Sequence, residues 1–158
     1  MACLCNGSEN VDLLAPVLGK VMALTDVPDP VFAGGMLGQG CCVLPGDDVV
    51  CAPVAGVVTA AMPHALGISG SGVEVLVHVG IDTVEMHGDG FELLVCQGES
   101  VEAGQPLVRF DRERVAAAGH PDCVVVVVTN SADVACVEML AAPDASVSAG
   151  DPLVRVTL

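Results

Sequence analysis

An all-β fold, a sandwich or a barrel, is what this sequence predicts, and three observations carry the prediction. The 158 residues are rich in Val, Ala and Leu, with three Phe and no Trp or Tyr, and 18 Gly and 10 Pro punctuate them. Such a composition favours short strands joined by turns over long helices. Turn signals recur at close intervals, at VPDP (27–30), PGDD (45–48), SGSG (69–72), HGDG (87–90) and EAGQP (102–106). Between two of them, Val73, Val75, Val77, Val79 and Ile81 alternate with Glu74, Leu76, His78, Gly80 and Asp82, the period of a half-buried strand.

In chain order, residues 1–15 are expected to be a loose leader, with at most a helical turn near Asn10–Leu14. Residues 16–158 contain no linker-like stretch and form one domain. Strands are expected at Gly19–Leu24, Cys41–Leu44, Asp48–Cys51, Gly56–Ala60, Gly72–Ile81, Phe91–Val95, Pro106–Phe110, Cys123–Val128 and Pro152–Thr157. One short helix fits 111–121, with Asp111 as N-cap and Gly119 and Pro121 as stop signals. VEAGQPLVR (101–109) repeats as VSAGDPLVR (147–155), so a unit with a tight glycine turn before a strand is duplicated.

Composition also narrows the function. Five basic residues stand against 20 acidic ones, a formal charge of -15. That surface repels phosphate backbones and anionic lipid, so neither nucleic acid nor a membrane is an expected partner, and it attracts a basic protein face. The longest apolar run, around CVVVVV (123–128), is too short to span a bilayer. The N-terminus has no basic start and no long apolar stretch, so a cytoplasmic location with the eight Cys reduced is expected. No C-x-x-C pair, Walker loop, G-x-S-x-G or dinucleotide fingerprint appears.

The candidate site lies on the even face of the 73–81 run. His78 shares that face with Glu74, Leu76 and Asp82, while the odd face is aliphatic and belongs in the core. His64 precedes the SGSG turn, and counting back from that turn places it near the level of His78 across an antiparallel pair. Two neighbouring imidazoles can bind a metal, can act as nucleophile and charge stabiliser in phosphoryl transfer, or can be satisfied by local hydrogen bonds alone. His87, in a turn, and His120, at a helix end, are expected to be solvated and take no role.

The segments DVPDPVFAGGMLGQG (26–40), CAPVAGVV (51–58), PHALGI (63–68), GVEVLVHVGIDTVEMHGDGF (72–91) and GESVEAGQPLVRFD (98–111) resemble, in order, the glucose-type enzyme IIA domain of the bacterial sugar phosphotransferase system. The resemblance implies a compact antiparallel β-sandwich. It implies that His78 accepts a phosphoryl group, that His64 hydrogen-bonds the phosphate, and that Asp82 is the family's nearby acid. It further implies HPr as donor, a cysteine of an enzyme IIB domain as acceptor, and an apolar docking rim at Val31, Phe32, Leu66, Leu76 and Val84. No cofactor is required, although His64 and His78 offer zinc two ligands. Where the family often has a polar pair before the first histidine, Met62-Pro63 stands here. The alternatives are a zinc-dependent hydrolase, which needs a third strong ligand, and a regulatory binding module that keeps the fold without transferring phosphate.

Overall fold

The structure is a computed structural model and describes residues 9–158. Fourteen strands, two short α-helices and three single 3-10 turns make up the described chain. The strands are β1 (Asn10–Leu14), β2 (Gly19–Ala23), β3 (Gln39–Pro45), β4 (Val49–Cys51), β5 (Gly56–Met62), β6 (Ala65–Gly70), β7 (Val73–Val79), β8 (Phe91–Leu93), β9 (Ser100–Val101), β10 (Pro106–Phe110), β11 (Val124–Val128), β12 (Cys136–Met139), β13 (Ser146–Val147) and β14 (Pro152–Thr157). Helix α1 is Pro30–Ala33 and α2 is Arg112–Ala117. An eight-stranded sheet runs β13-β2-β3-β11-β7-β6-β5-β9, and two three-stranded sheets run β1-β14-β12 and β4-β10-β8. Every pairing is antiparallel.

One core joins all three sheets. Val43, Val77 and Val126 of the large sheet meet Leu13 and Val154 of one small sheet and Val50 and Val108 of the other. This is the predicted sandwich: a strand with one apolar face must bury it against another layer. The central strand β11 is buried at all five positions because its second face is also covered. A smaller cluster there holds Val125 and Val127 of β11, Cys42 of β3, and Leu24, Val27 and Phe32 from the segment between β2 and β3. That double burial explains an unbroken valine run where a one-faced strand would alternate.

The duplication is larger than its sequence echo. Leu14-Ala15-Pro16-Val17 and Cys51-Ala52-Pro53-Val54 open equivalent units and bond to each other, Leu14 N–H to the Pro53 carbonyl at 2.8 Å and Cys51 N–H to the Pro16 carbonyl at 2.7 Å. Gly150 N–H donates to the Ala15 carbonyl at 3.0 Å, as Gly104 N–H donates to Ala52 at 2.8 Å. The registers match as well, Gly19 facing Val147 as Gly56 faces Val101. Even the bulge recurs, before Leu14 in one small sheet and between Pro106 and Val108 in the other. An approximate internal twofold therefore relates the two small sheets and the ends of the large one.

Several expectations are corrected. The 1–15 segment is not a loose leader where it is described: residues 10–14 form β1, paired along β14, with Leu13 and Ala15 fully buried. Its residues 1–8 lie outside the described residues. The VPDP signal is followed not by a simple reversal but by α1, where the Asp29 carboxylate accepts from Val31 N–H and Pro30 occupies the first turn. The helix at 111–121 is shorter, Arg112–Ala117, with Asp111 capping Glu113 and Arg114 as predicted. β7 stops at Val79, because Gly80 takes a φ of 77°. The short strands β9, β12 and β13 had no clear signal. Cys41, Cys42, Cys51, Cys96 and Cys123 are free thiols, but Cys136 is disulfide-bonded, against the expected reduced set.

Candidate functional site

The alternation of β7 holds from Val73 to Val79, with every odd position buried. His78 therefore projects from the face opposite the main core. That face is no open surface. His78 sits beside Val125 across the β7–β11 pair and beside Ala65 across the β6–β7 pair. Phe32, brought over by α1, lays its ring edgewise on His78 with centroids 5.1 Å apart. His78 is thus held half-buried at the margin of the smaller cluster.

His64 arrives by a different route. β5 and β6 form a tight hairpin in which Met62 faces Ala65, leaving Pro63 and His64 as its two-residue tip. The tip is tied to β7 by Val79 N–H, which donates to the His64 carbonyl at 2.8 Å. The two imidazole rings come to 5.4 Å between centroids, inclined at 74°. The cross-strand level counted from the sequence is therefore the observed one. Met62-Pro63 supplies no hydroxyl to the ring, and among the described residues no hydrogen bond to the His64 imidazole is made.

The chemistry of the pair follows from one contact. His78 Nδ1 lies 2.7 Å from the Gly80 carbonyl. A carbonyl only accepts, so Nδ1 carries the proton and the lone pair of the neutral ring resides on Nε2. Burial holds the His78 pKa below the usual imidazole value, and the positive form of His64 would push it the same way. The Gly80 hydrogen bond and the carboxylates of Asp29 and Asp82 act in the opposite sense and are outweighed. His64 is likewise lowered by burial. Both rings are thereby biased to the neutral form near pH 7, the form that acts as a nucleophile.

The remaining predicted residues divide. Asp82 is not on the strand face. It lies beyond the end of β7 in the left-handed region, φ 58°, and starts the 3-10 turn Thr83–Met86, although its charge still reaches His78. Leu66 is no rim residue: paired with Val77, it points into the main core and is fully buried. Phe32 is buried too, as the wall against His78. Val31 and Val84 are exposed, and Leu76 is half-buried against the smaller cluster. His87 is exposed as expected, but His120 is mostly covered and lies 3.8 Å from Glu85. Three apolar residues of this region escaped sequence reading: Met62 beside the His64 tip, and Met36 and Leu37 just after α1, all exposed. Asp29 escaped as well, although the pair Asp29-Pro30 is a recognisable helix start. Among the described residues, no three His, Cys, Asp or Glu side chains are grouped as metal ligands.

Fold and site together define a class: an antiparallel β-sandwich bearing two neighbouring imidazoles biased to the neutral form, one with its tautomer set by a backbone carbonyl, in an apolar surround. The chain belongs to the phosphoenolpyruvate-dependent sugar phosphotransferase system EIIA 1 family, whose pattern matches residues 11–134. It is 37% identical over 134 residues to the glucose-specific EIIA component of the phosphotransferase system from Staphylococcus aureus strain COL, covering 83% of this chain and 81% of that protein. It is 41% identical over 122 residues to the glucose-specific EIIA component from Bacillus cereus, covering 75% of this chain and 74% of that protein. The solved structure of glucose permease IIA from Mycoplasma capricolum superimposes with a TM-score of 0.84 at 35% identity, covering 96% of this chain and 99% of that one. No helix of the described residues is long and apolar enough to cross a membrane.

Proposed function

We propose that this EIIA component carries phosphate on His78 between two protein partners. Nε2 of His78 attacks the phosphorus of a phosphohistidine on HPr. A new N–P bond forms as the donor's N–P bond breaks, and the donor imidazole leaves. In the second step a cysteine thiolate of an enzyme IIB domain attacks the same phosphorus, and His78 leaves as neutral imidazole. The loose transition state of such transfers needs positioning and hydrogen-bond donors on the equatorial oxygens more than covalent help. His64, whose ring makes no hydrogen bond among the described residues, is free to be such a donor beside His78. The reaction calls for no cofactor, because the phosphoryl group arrives already activated, and a cytoplasmic setting follows from the two partners.

The observation that carries this reading is the Gly80 contact, which leaves Nε2 of a neutral ring as the free atom beside His64. The apolar surround of Val31, Leu76 and Val84, with Phe32 as inner wall, suits the transfer. It excludes water, which strengthens the hydrogen bonds to the phosphate and limits its loss to hydrolysis. Exposed Met36, Leu37 and Met62 extend that surround, and unbranched Met side chains adapt to more than one partner. The test is labelling from phosphoenolpyruvate in the presence of the general phosphotransferase proteins. His78→Ala is expected to take up no label, and His64→Ala to label but pass the group on about 100-fold more slowly. Normal labelling of the His78→Ala protein would end the assignment.

A further inference from the structure

We infer that Thr83 is a positioning residue for His78: its hydroxyl anchors the Val79 carbonyl and thereby holds the Gly80 carbonyl where it selects the histidine tautomer. This deepens the phosphoryl-transfer proposal and rests on it for its kinetic readout.

Both peptide groups flanking Gly80 are tethered at two ends. In the first, the Val79 carbonyl accepts from Thr83 Oγ1 at 2.6 Å, and Gly80 N–H donates to the Cys123 carbonyl at 2.8 Å. In the second, the Gly80 carbonyl accepts from His78 Nδ1 at 2.7 Å, and Ile81 N–H donates to the Pro121 carbonyl at 3.0 Å. Apart from His78 itself, Thr83 is the only side chain in this set; the other tethers are backbone. The Thr83 methyl adds a steric part. A Cβ on Gly80 would lie 2.4 Å from Thr83 Cγ2, so the methyl occupies the space that the glycine leaves.

Thr83 is 1% exposed, and Val79 is fully buried, so water does not take the place of the hydroxyl if it is removed. A buried carbonyl that loses its donor seeks another. Rotation about Gly80 is the least hindered way to find one, because glycine carries no Cβ penalty over a wide φ range. That rotation swings the Gly80 carbonyl off Nδ1. His78 then divides between its two tautomers, and the fraction protonated on Nε2 has no lone pair to offer there.

The test uses the whole chain with 15N-labelled histidine at pH 8. Long-range proton–nitrogen spectra report which ring nitrogen carries the proton. The native protein is expected to show His78 as the Nδ1–H form only. Thr83→Val is expected to show a mixture with the Nε2–H form and to accept phosphate about tenfold more slowly, the scale of a small misplacement of a reacting group. Thr83→Ser, which keeps the hydroxyl, is expected to retain the native tautomer. If Thr83→Val does not fold, Thr83→Ala compared with Thr83→Ser asks the same question. A pure Nδ1–H form and a native rate without the hydroxyl would overturn the inference. Equal loss in Thr83→Ser would do so too, by assigning the effect to the methyl. A native protein that never takes phosphate on His78 would instead sink the transfer proposal, and the tautomer result would stand apart from it.

Discussion

Which nitrogen of His78 is available depends on the Gly80 carbonyl, and whether the ring is neutral depends on what covers it. Burial disfavours the imidazolium and outweighs the carboxylates of Asp29 and Asp82, which favour it. The sign of the pH dependence follows. His78 is expected to titrate below the reference value of about 6.5, so its capacity to accept phosphate falls off at a lower pH than that of an unperturbed imidazole. Between the depressed folded value and about 6.5 the unfolded chain binds more protons than the folded one. Stability conferred by the neutral ring therefore rises with pH across that window and is lost below it. NMR titration of the His78 ring checks the first statement; a midpoint at or above 6.5 would contradict it. At this scale His78 and His64 were legible from alternation and turn counting. The role of Gly80 was not, because a positive φ and a carbonyl direction are set by contacts with Thr83 and the 121–123 segment, distant in sequence or hidden by the strand pattern.

Among the elements, β1 is the instructive case. NVDLL (10–14) is too short a run, followed at once by Ala15-Pro16, to stand out as a strand, and it becomes one because β14 offers it an edge. Its Leu13 then enters the core beside Val154. Leu13→Ala is expected to destabilise the fold by about 2–5 kcal/mol, the cost of a cavity in a packed interior, measured by denaturant unfolding. A change under about 0.5 kcal/mol would mean that the segment is the loose leader its composition suggested. The same logic explains the missed β9, β12 and β13. A two-residue strand such as Ser146–Val147 carries no periodicity, and only the register against β2 defines it. Where a tight turn is demanded by backbone geometry, the sequence shows it. Gly104 and Gly150, with φ of 86° and 94°, are the turn glycines of the visible repeat.

For the whole molecule, charge and layering matter most. Of the five basic residues, Arg112, Arg114 and Arg155 are paired with Asp48, Asp89 and Asp12. Internal pairing consumes most of the positive charge and leaves the outer surface acidic. Encounter with a basic phosphoryl donor is expected to slow by at least about tenfold from low salt to about 1 M salt, where the screening length shrinks to about 3 Å. Stopped-flow association rates across that range check it, and an unchanged rate would remove steering from the account. On the proposed docking face the bound state is expected to feel salt less, because Val31, Met36, Met62 and Val84 are exposed and apolar.

By itself the sequence determined the all-β class, the core face of β7, the pairing level of the two histidines and half of the duplication, since each depends on local periodicity or turn chemistry. Tertiary structure decided the rest. It placed Leu66 inside and Val84 outside, turned 10–14 into a strand, and folded the 24–33 segment over the outer face of the large sheet so that Phe32 meets His78. The physical reason is that a residue's burial is a property of what packs on it. A strand pattern tells which side chains share a face, but not whether another part of the chain returns to cover that face.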